Sequence, residues 1–274
     1  MARRFDTTSY RYANEHLILG VTLLLVFGVI ALTAGATVCL SAVFVVAGVV
    51  MGYFSSRAHH QQLLQTARRA EEAAPELRPV LQEAAERLQV EPVDVFIVPS
   101  RVVNAYTFGI TSPKAIVLHS ALFQLMDRDE LQFIIGHEMG HVRLGHTWLN
   151  TLVGGMAGIP SSTGALLLME VAFRWWNRAC EYSADRAGML ACANPRKAIS
   201  ALIKIEAGPA AIHSQAALEN ALARIESEDD SLSGNLGELL ATHPMIIKRI
   251  NHIRQYANSE QYRRLQAGMN QNLM

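Results

Sequence analysis

The chain has 274 residues, and its 24 Lys and Arg are matched by 24 Asp and Glu. Zero net charge offers little to a phosphate backbone, so nucleic acid is not an expected partner. Half of the residues are apolar and mean hydropathy is +0.16, while three scattered cysteines (Cys39, Cys180, Cys192) form neither a disulfide framework nor a cysteine-type zinc motif.

From Leu17 to Phe54 there is no charged residue. One helical membrane span needs about 20 apolar residues, so this run suits two. Small residues at 33–37, "TAGAT", offer a turn between them. The expectation is a transmembrane helical hairpin in residues 1–57, with spans at about 17–34 and 36–54. The run is too long for the apolar core of a signal peptide and lacks the polar face of a core helix. Arg3, Arg4 and Arg11 precede it, and Arg57, Arg68 and Arg69 follow. By the positive-inside rule both flanks lie in the cytoplasm, making the chain an integral protein of an inner or plasma membrane with residues 58–274 cytoplasmic.

The stretch 58–90 reads as helix, divided by Pro75 and Pro79, with its second part at about 76–89. Three short β-rich segments follow, "VDVFIV" (93–98), "NAYTFGI" (104–110) and "AIVLHS" (115–120), and predict a small sheet. Helical periodicity then returns, with Asp127 or Asp129 as a cap, and continues except for a polar loop at 226–235. The fold class is mainly α with a small β-sheet (α+β).

The helix beginning near Asp127 contains "FIIGHEMGHVRLGH" (133–146). At 100° per residue, His141 stands only about 40° round from His137, one turn on, and Glu138 about 60° from His141. Two imidazoles can meet one ion while a carboxylate flanks it, which is what a zinc hydrolase needs. His146 lies about 180° from His137 if the helix continues, and is read as a bystander. The third ligand is sought downstream in "NRACEYSAD" (177–185), where Glu181 and Asp185 share a helix face. Glu181 can complete the ligand set, and Asp185 can hold a ligand imidazole in the right tautomer. Cys180 points about 100° away from Glu181 and is read as packing.

These segments, with "NAYTFG", "DELQFIIGHEMGHVRLGH", "CEYSAD" and "THPMIIKRI" (242–250) in this order, resemble the HtpX-like membrane gluzincins, relatives of the CAAX prenyl proteases. The resemblance spans most of residues 76–256. It implies a zincin-like endopeptidase with one Zn2+ per chain, ligated by His137, His141 and Glu181, with Glu138 as general base. It places Asn104 and Ala105 on a substrate-binding edge strand. His243, in the Thr-His-Pro motif, either approaches the active site or is a capping histidine before Pro244, and Arg249 is a structural or electrostatic partner. Protein or peptide substrates, membrane proteins among them, and the lipid bilayer are the implied partners, with a role in membrane-protein quality control or processing. A catalytically inactive membrane scaffold and a soluble peptidase with a buried N-terminus are the rivals.

Such proteins often carry two more spans between the zinc helix and the third-ligand helix. Here that interval, 148–173, is apolar but broken at Pro160–Gly164 and short of the roughly 40 residues two spans require. A single span would put Glu181 across the membrane from His137. The expectation is no full crossing and two short helices.

Overall fold

The structure is a computed structural model that describes residues 9–36, 40–156, 164–211 and 244–272. Two helices open the chain, α1 (Glu15–Ala36) and α2 (Leu40–Thr66). A two-residue strand β1 (Arg68–Arg69), a short helix α3 (Ala70–Ala73), a 3-10 turn (Pro75–Leu77) and helix α4 (Arg78–Leu88) follow. Strands β2 (Val93–Val98), β3 (Ala105–Phe108) and β4 (Lys114–His119) lead through the short α5 (Leu122–Leu125) to α6 (Arg128–Leu144). Beyond it come α7 (His146–Met156), α8 (Gly164–Cys192), α9 (Pro195–Ala211), α10 (Pro244–Ala257) and α11 (Glu260–Asn272). The expected mainly helical fold with a small sheet is what is found.

The sheet has four strands in the order β1-β2-β4-β3. β2 and β4 run parallel, whereas β1 and β3 pair antiparallel with their neighbours. All three expected strands are present. The fourth, β1, has no hydrophobic pattern to announce it; its pairing of Arg68 with Ile97 and Arg69 with Phe96 is imposed by the sheet. Successive side chains on a strand face opposite ways, and β4 uses both faces. Ile116 and Leu118 enter the main core with α4, α6 and α9, while Ala115 and Val117 join Leu63 of α2 and Phe96 on the other face. β3 forms one edge, with Ala105 opposite Leu118 and Phe108 opposite Ala115.

α2 runs without interruption through the expected boundary at 57 as far as Thr66, and the first break in 58–90 comes ahead of Pro75. α8 is longer than the expected short helix and runs unbroken from Gly164 to Cys192; most of the expected break at Pro160–Gly164 lies outside the described residues. Among the described residues one helix, α1, is long and apolar enough to cross a membrane, with mean hydropathy 2.3 over Glu15–Leu32. The expected loop at 226–235 and His243 lie outside the described residues.

Candidate metal centre

α6 starts on a built cap. The Asp127 carboxylate accepts from the Glu130 backbone N–H at 3.0 Å, and the Glu130 carboxylate accepts from the Asp127 N–H at 2.9 Å, a reciprocal capping box. Glu130 is buried and also meets Ser200 and Lys204 of α9. The helix stops where Gly145 takes φ 79°, a left-handed C-cap that glycine adopts without penalty.

α6 lies unusually close to α8. A Cβ at Gly136 would fall 2.4 Å from the Ala191 Cβ, one at Gly140 2.5 Å from the Ala187 Cβ, and one at Gly188 2.7 Å from the Phe133 carbonyl oxygen. Small residues at these positions let the two backbones touch. The contact brings the face holding His137 and His141 against the face holding Glu181 and Asp185.

The donor atoms converge there. His137 Nε2 and His141 Nε2 are 3.2 Å apart, and each is 3.5 Å from one oxygen of Glu181. Tetrahedral zinc sites with bonds of about 2.0–2.1 Å separate their ligand atoms by about 3.4 Å, so the spacing fits. The His137 Nδ1 lies 3.0 Å from Asp185 Oδ1. Arg249 from α10 grips Asp185 through Nε (2.9 Å) and Nη2 (2.7 Å), and its Nη1 lies 3.2 Å from Glu181 Oε2. Asp185 is 1% exposed.

The electrostatics favour a cation at the centre. Burial works against a charged His137 imidazole, but the hydrogen bonds to Asp185 and Glu181 outweigh it and push its pKa up to about 10. Burial likewise opposes ionisation of Glu181, yet the Arg249 guanidinium and the two imidazoles hold it well below the usual carboxylate range. Asp185 is lowered for the same reason, with Arg249 and His137 overcoming burial. Arg249 faces Glu181 and Asp185, and Glu138 lines the same cleft, so carboxylates outnumber guanidinium groups around the donor atoms. That donor set and charge suit a divalent ion.

The site opens into a cleft of about 330 Å³, walled by Asn104, Ala105, Tyr106 and Thr107 of the sheet edge, by α6, and by Thr147 and Asn150 of α7. Glu138 stands beside the donor triangle with its carboxylate held by the Thr107 hydroxyl, which donates to Oε2 at 2.5 Å. The fold thus brings Asn104, Ala105, His137, Glu138, His141 and Glu181 to one cleft, with Asp185 behind it.

Two contacts were not expected from the sequence. Thr107 is one; its only signal is membership of the "NAYTFG" strand. His146 is the other. The helix ends at Leu144, so His146 is not carried round to the far side: its Nδ1 sits 3.0 Å from His141 Nδ1, and its Nε2 sits 3.0 Å from Glu15 Oε1. Burial pushes the His146 pKa down to about 4, against the hydrogen bond to Glu15, so this imidazole is neutral at physiological pH. Asp185 and Glu138 are where the spacing put them; His146 corrects a geometry extrapolated through Gly145.

A helix-borne pair of histidines, a flanking glutamate and a third carboxylate from a second helix define a metallohydrolase of the zincin type. The profile of peptidase family M48 matches residues 71–257, and the chain belongs to that family. It is 32% identical over 204 residues to the "Plastoglobule-localized metallopeptidase 48, chloroplastic" of Arabidopsis thaliana, covering 69% of this chain and 59% of that one. It is 28% identical over 227 residues to a "Protease HtpX homolog" of Pyrococcus abyssi (69% and 75% covered). With a "Protease HtpX homolog" of Streptococcus pneumoniae strain R6 it shares 25% identity over 273 residues (83% and 85%). The resemblance drawn from the motifs is thereby shown, and the chain is a metallopeptidase by family.

Proposed function

We propose that this chain is a membrane-anchored, zinc-dependent endopeptidase with His137, His141 and Glu181 as the ligands of one zinc ion. The observation that carries the reading is the donor triangle with Glu138 beside it, in one cleft with β3, the edge strand of the sheet among the described residues. Zinc, when bound, supplies Lewis acidity that lowers the pKa of water and polarises a carbonyl. Glu138, oriented by Thr107, takes the proton from the attacking water and delivers it to the leaving amine. Asp185 keeps the His137 proton on Nδ1 and so leaves Nε2 free to ligate. Arg249 balances the charge of Glu181 and Asp185 without entering the triangle.

The substrate is a protein or peptide bound as an added strand. β3 is an edge among the described strands, and its Ala105 and the preceding Asn104 line the cleft, so main-chain hydrogen bonds can lay an extended peptide across the metal site. His243, on the strength of its Thr-His-Pro motif, is proposed to approach the developing oxyanion, with capping before Pro244 as its alternative role.

Residues 1–57 are proposed as the membrane segment and 58–274 as the peptidase unit in the cytoplasm. The support is the outer surface of the first two helices. Leu24, Phe27 and Leu32 of α1 and Val46 and Phe54 of α2 are each more than 60% exposed, which water penalises and a bilayer does not. Membrane proteins undergoing processing or quality control are the proposed substrates.

The test is Glu138→Gln. Hydrolysis of an unstructured protein substrate should fall by roughly 10²–10⁴-fold while zinc content stays at one per chain. Unchanged hydrolysis would overturn the assignment, and absence of hydrolysis by the wild-type chain would favour the inactive scaffold.

A further inference from the structure

The two imidazoles of the triangle are backed in different ways. His137 rests on the Asp185 carboxylate directly. His141 reaches a carboxylate only through a second imidazole, and that carboxylate belongs to Glu15, the first residue of α1. We propose that Glu15, acting through His146, is the positioning residue for His141, so that the head of the N-terminal apolar helix is a working part of the metal centre. This rests on the reading of His137, His141 and Glu181 as the zinc ligands.

Proton accounting fixes the direction of the chain. An imidazole that ligates through Nε2 carries its proton on Nδ1. His141 therefore donates from Nδ1 to the Nδ1 of His146, 3.0 Å away. His146 must then be bare at Nδ1 and protonated at Nε2, which lies 3.0 Å from Glu15 Oε1. Glu15 can only accept there, since Arg11 and Ser183 also donate to its two oxygens. The opposite tautomer of His146 would set two N–H groups head to head against His141. One arrangement satisfies every contact, and Glu15 is what selects it.

The relay is held on all sides. Glu15 is 2% exposed and His146 1%. Arg11 also donates to the Leu144 carbonyl at 2.9 Å, at the end of the zinc helix, and the Tyr12 N–H donates to Ser183 Oγ at 2.8 Å. Further along α1, the Thr22 hydroxyl donates to the Ala172 carbonyl of α8 at 3.2 Å. A change in how α1 sits against α7 and α8 would pull Glu15 from His146 and free the His141 ring to turn.

Glu15, His146 and Cys180 also lie close enough to hold an ion of their own. Both ring nitrogens of His146 and both oxygens of Glu15 are already engaged, and burial pushes the Cys180 thiol far up, so the relay is the better reading of this cluster.

Zinc affinity of the full chain in detergent, measured by competition with a chromophoric chelator, tests the proposal. Glu15→Gln and His146→Ala should each weaken zinc binding by roughly 10–100-fold, as loss of such supporting contacts does elsewhere. The double variant should be no weaker than His146→Ala alone, because both changes break one relay. Affinity within twofold of wild type in both single variants, or fully additive losses, would overturn it, as would a wild-type content of two zinc ions per chain. 15N spectra of histidine-labelled, zinc-loaded protein give a readout that needs no substitution at Glu15: His146 should be protonated at Nε2 and bare at Nδ1, and the reverse tautomer would overturn the relay. His141→Ala and Glu181→Ala serve as controls. If these keep tight zinc, the ligand assignment fails; if they lose it while the Glu15 and His146 variants do not, only the relay fails.

Discussion

The Thr107 hydroxyl, on the edge strand β3, donates to the Glu138 carboxylate, on α6, across 31 positions of sequence. The strand proposed to hold substrate therefore also aims the proposed base. Thr107→Val removes the hydrogen bond and keeps the shape. A hydrogen bond to a charged group contributes about 1.5–3 kcal/mol, so kcat/KM should fall roughly ten- to a hundredfold with zinc content unchanged. Peptide hydrolysis assayed beside metal analysis separates this from a folding defect, since a misfolded variant loses both.

Metal binding should stabilise the fold, since both helices that carry the donors belong to one packed pair. At a free zinc level of about 100 times Kd the gain is about 2.7 kcal/mol. For a chain of this size that corresponds to roughly 5–10 °C in Tm. Wild-type protein stripped with chelator and titrated with zinc should show this rise in a thermal scan, and Glu181→Ala should show little of it. An equal rise in the variant would place the ion elsewhere.

Gly140→Ala sets two effects against each other. Helix propensity alone would stabilise α6 by up to about 1 kcal/mol. The new methyl, however, would sit 2.5 Å from the Ala187 Cβ, and such overpacking costs about 1–3 kcal/mol. The contact should win, giving a lower Tm and weaker zinc binding together. A stabilised variant would mean that α6 and α8 part more readily than their spacing indicates.

Asp127 offers a pH signature well away from the metal. Burial would raise its pKa, but its hydrogen bonds with Lys197 and the Glu130 backbone outweigh this and lower it. A carboxylate with a depressed folded pKa contributes stability above its unfolded value, lost as pH falls through the folded one. Asp127→Ala should cost about 0.5–2 kcal/mol near pH 7. The gap to wild type should close as pH drops below about 4, the unfolded value. Denaturant midpoints at several pH values measure this; a gap that persists into strong acid would show that the cap acts through something other than its charge.

The two halves of the site were legible because each is a local spacing. His137 and His141 are four apart, as are Glu181 and Asp185, and a helix turns each pair to one face whatever the rest of the chain does. Strands 93–98 and 115–120 were legible through their β-rich composition. His146 lies outside the donor triangle, as read, but its contact with His141 was not foreseen, because the turn per residue was carried through Gly145, where the backbone enters the left-handed region and the helix ends. Glu15 and Thr107 left no local trace of their roles, since each acts on a partner 131 or 31 positions away. β1 was invisible for a similar reason: two arginines become a strand only because β2 lies beside them.

Tyr10, ahead of the first apolar helix, is 1% exposed within the main core, and the Ser9 carbonyl accepts from Gln261 of α11. Ile18 shares a buried cluster with Leu149, Trp176 and Cys180. The leading residues thus pack into the peptidase unit itself, beyond any part they play in the proposed membrane segment. A form trimmed to begin after Thr66 would lose those contacts, and a protease that clipped the N-terminal helices away would silence the enzyme rather than release it.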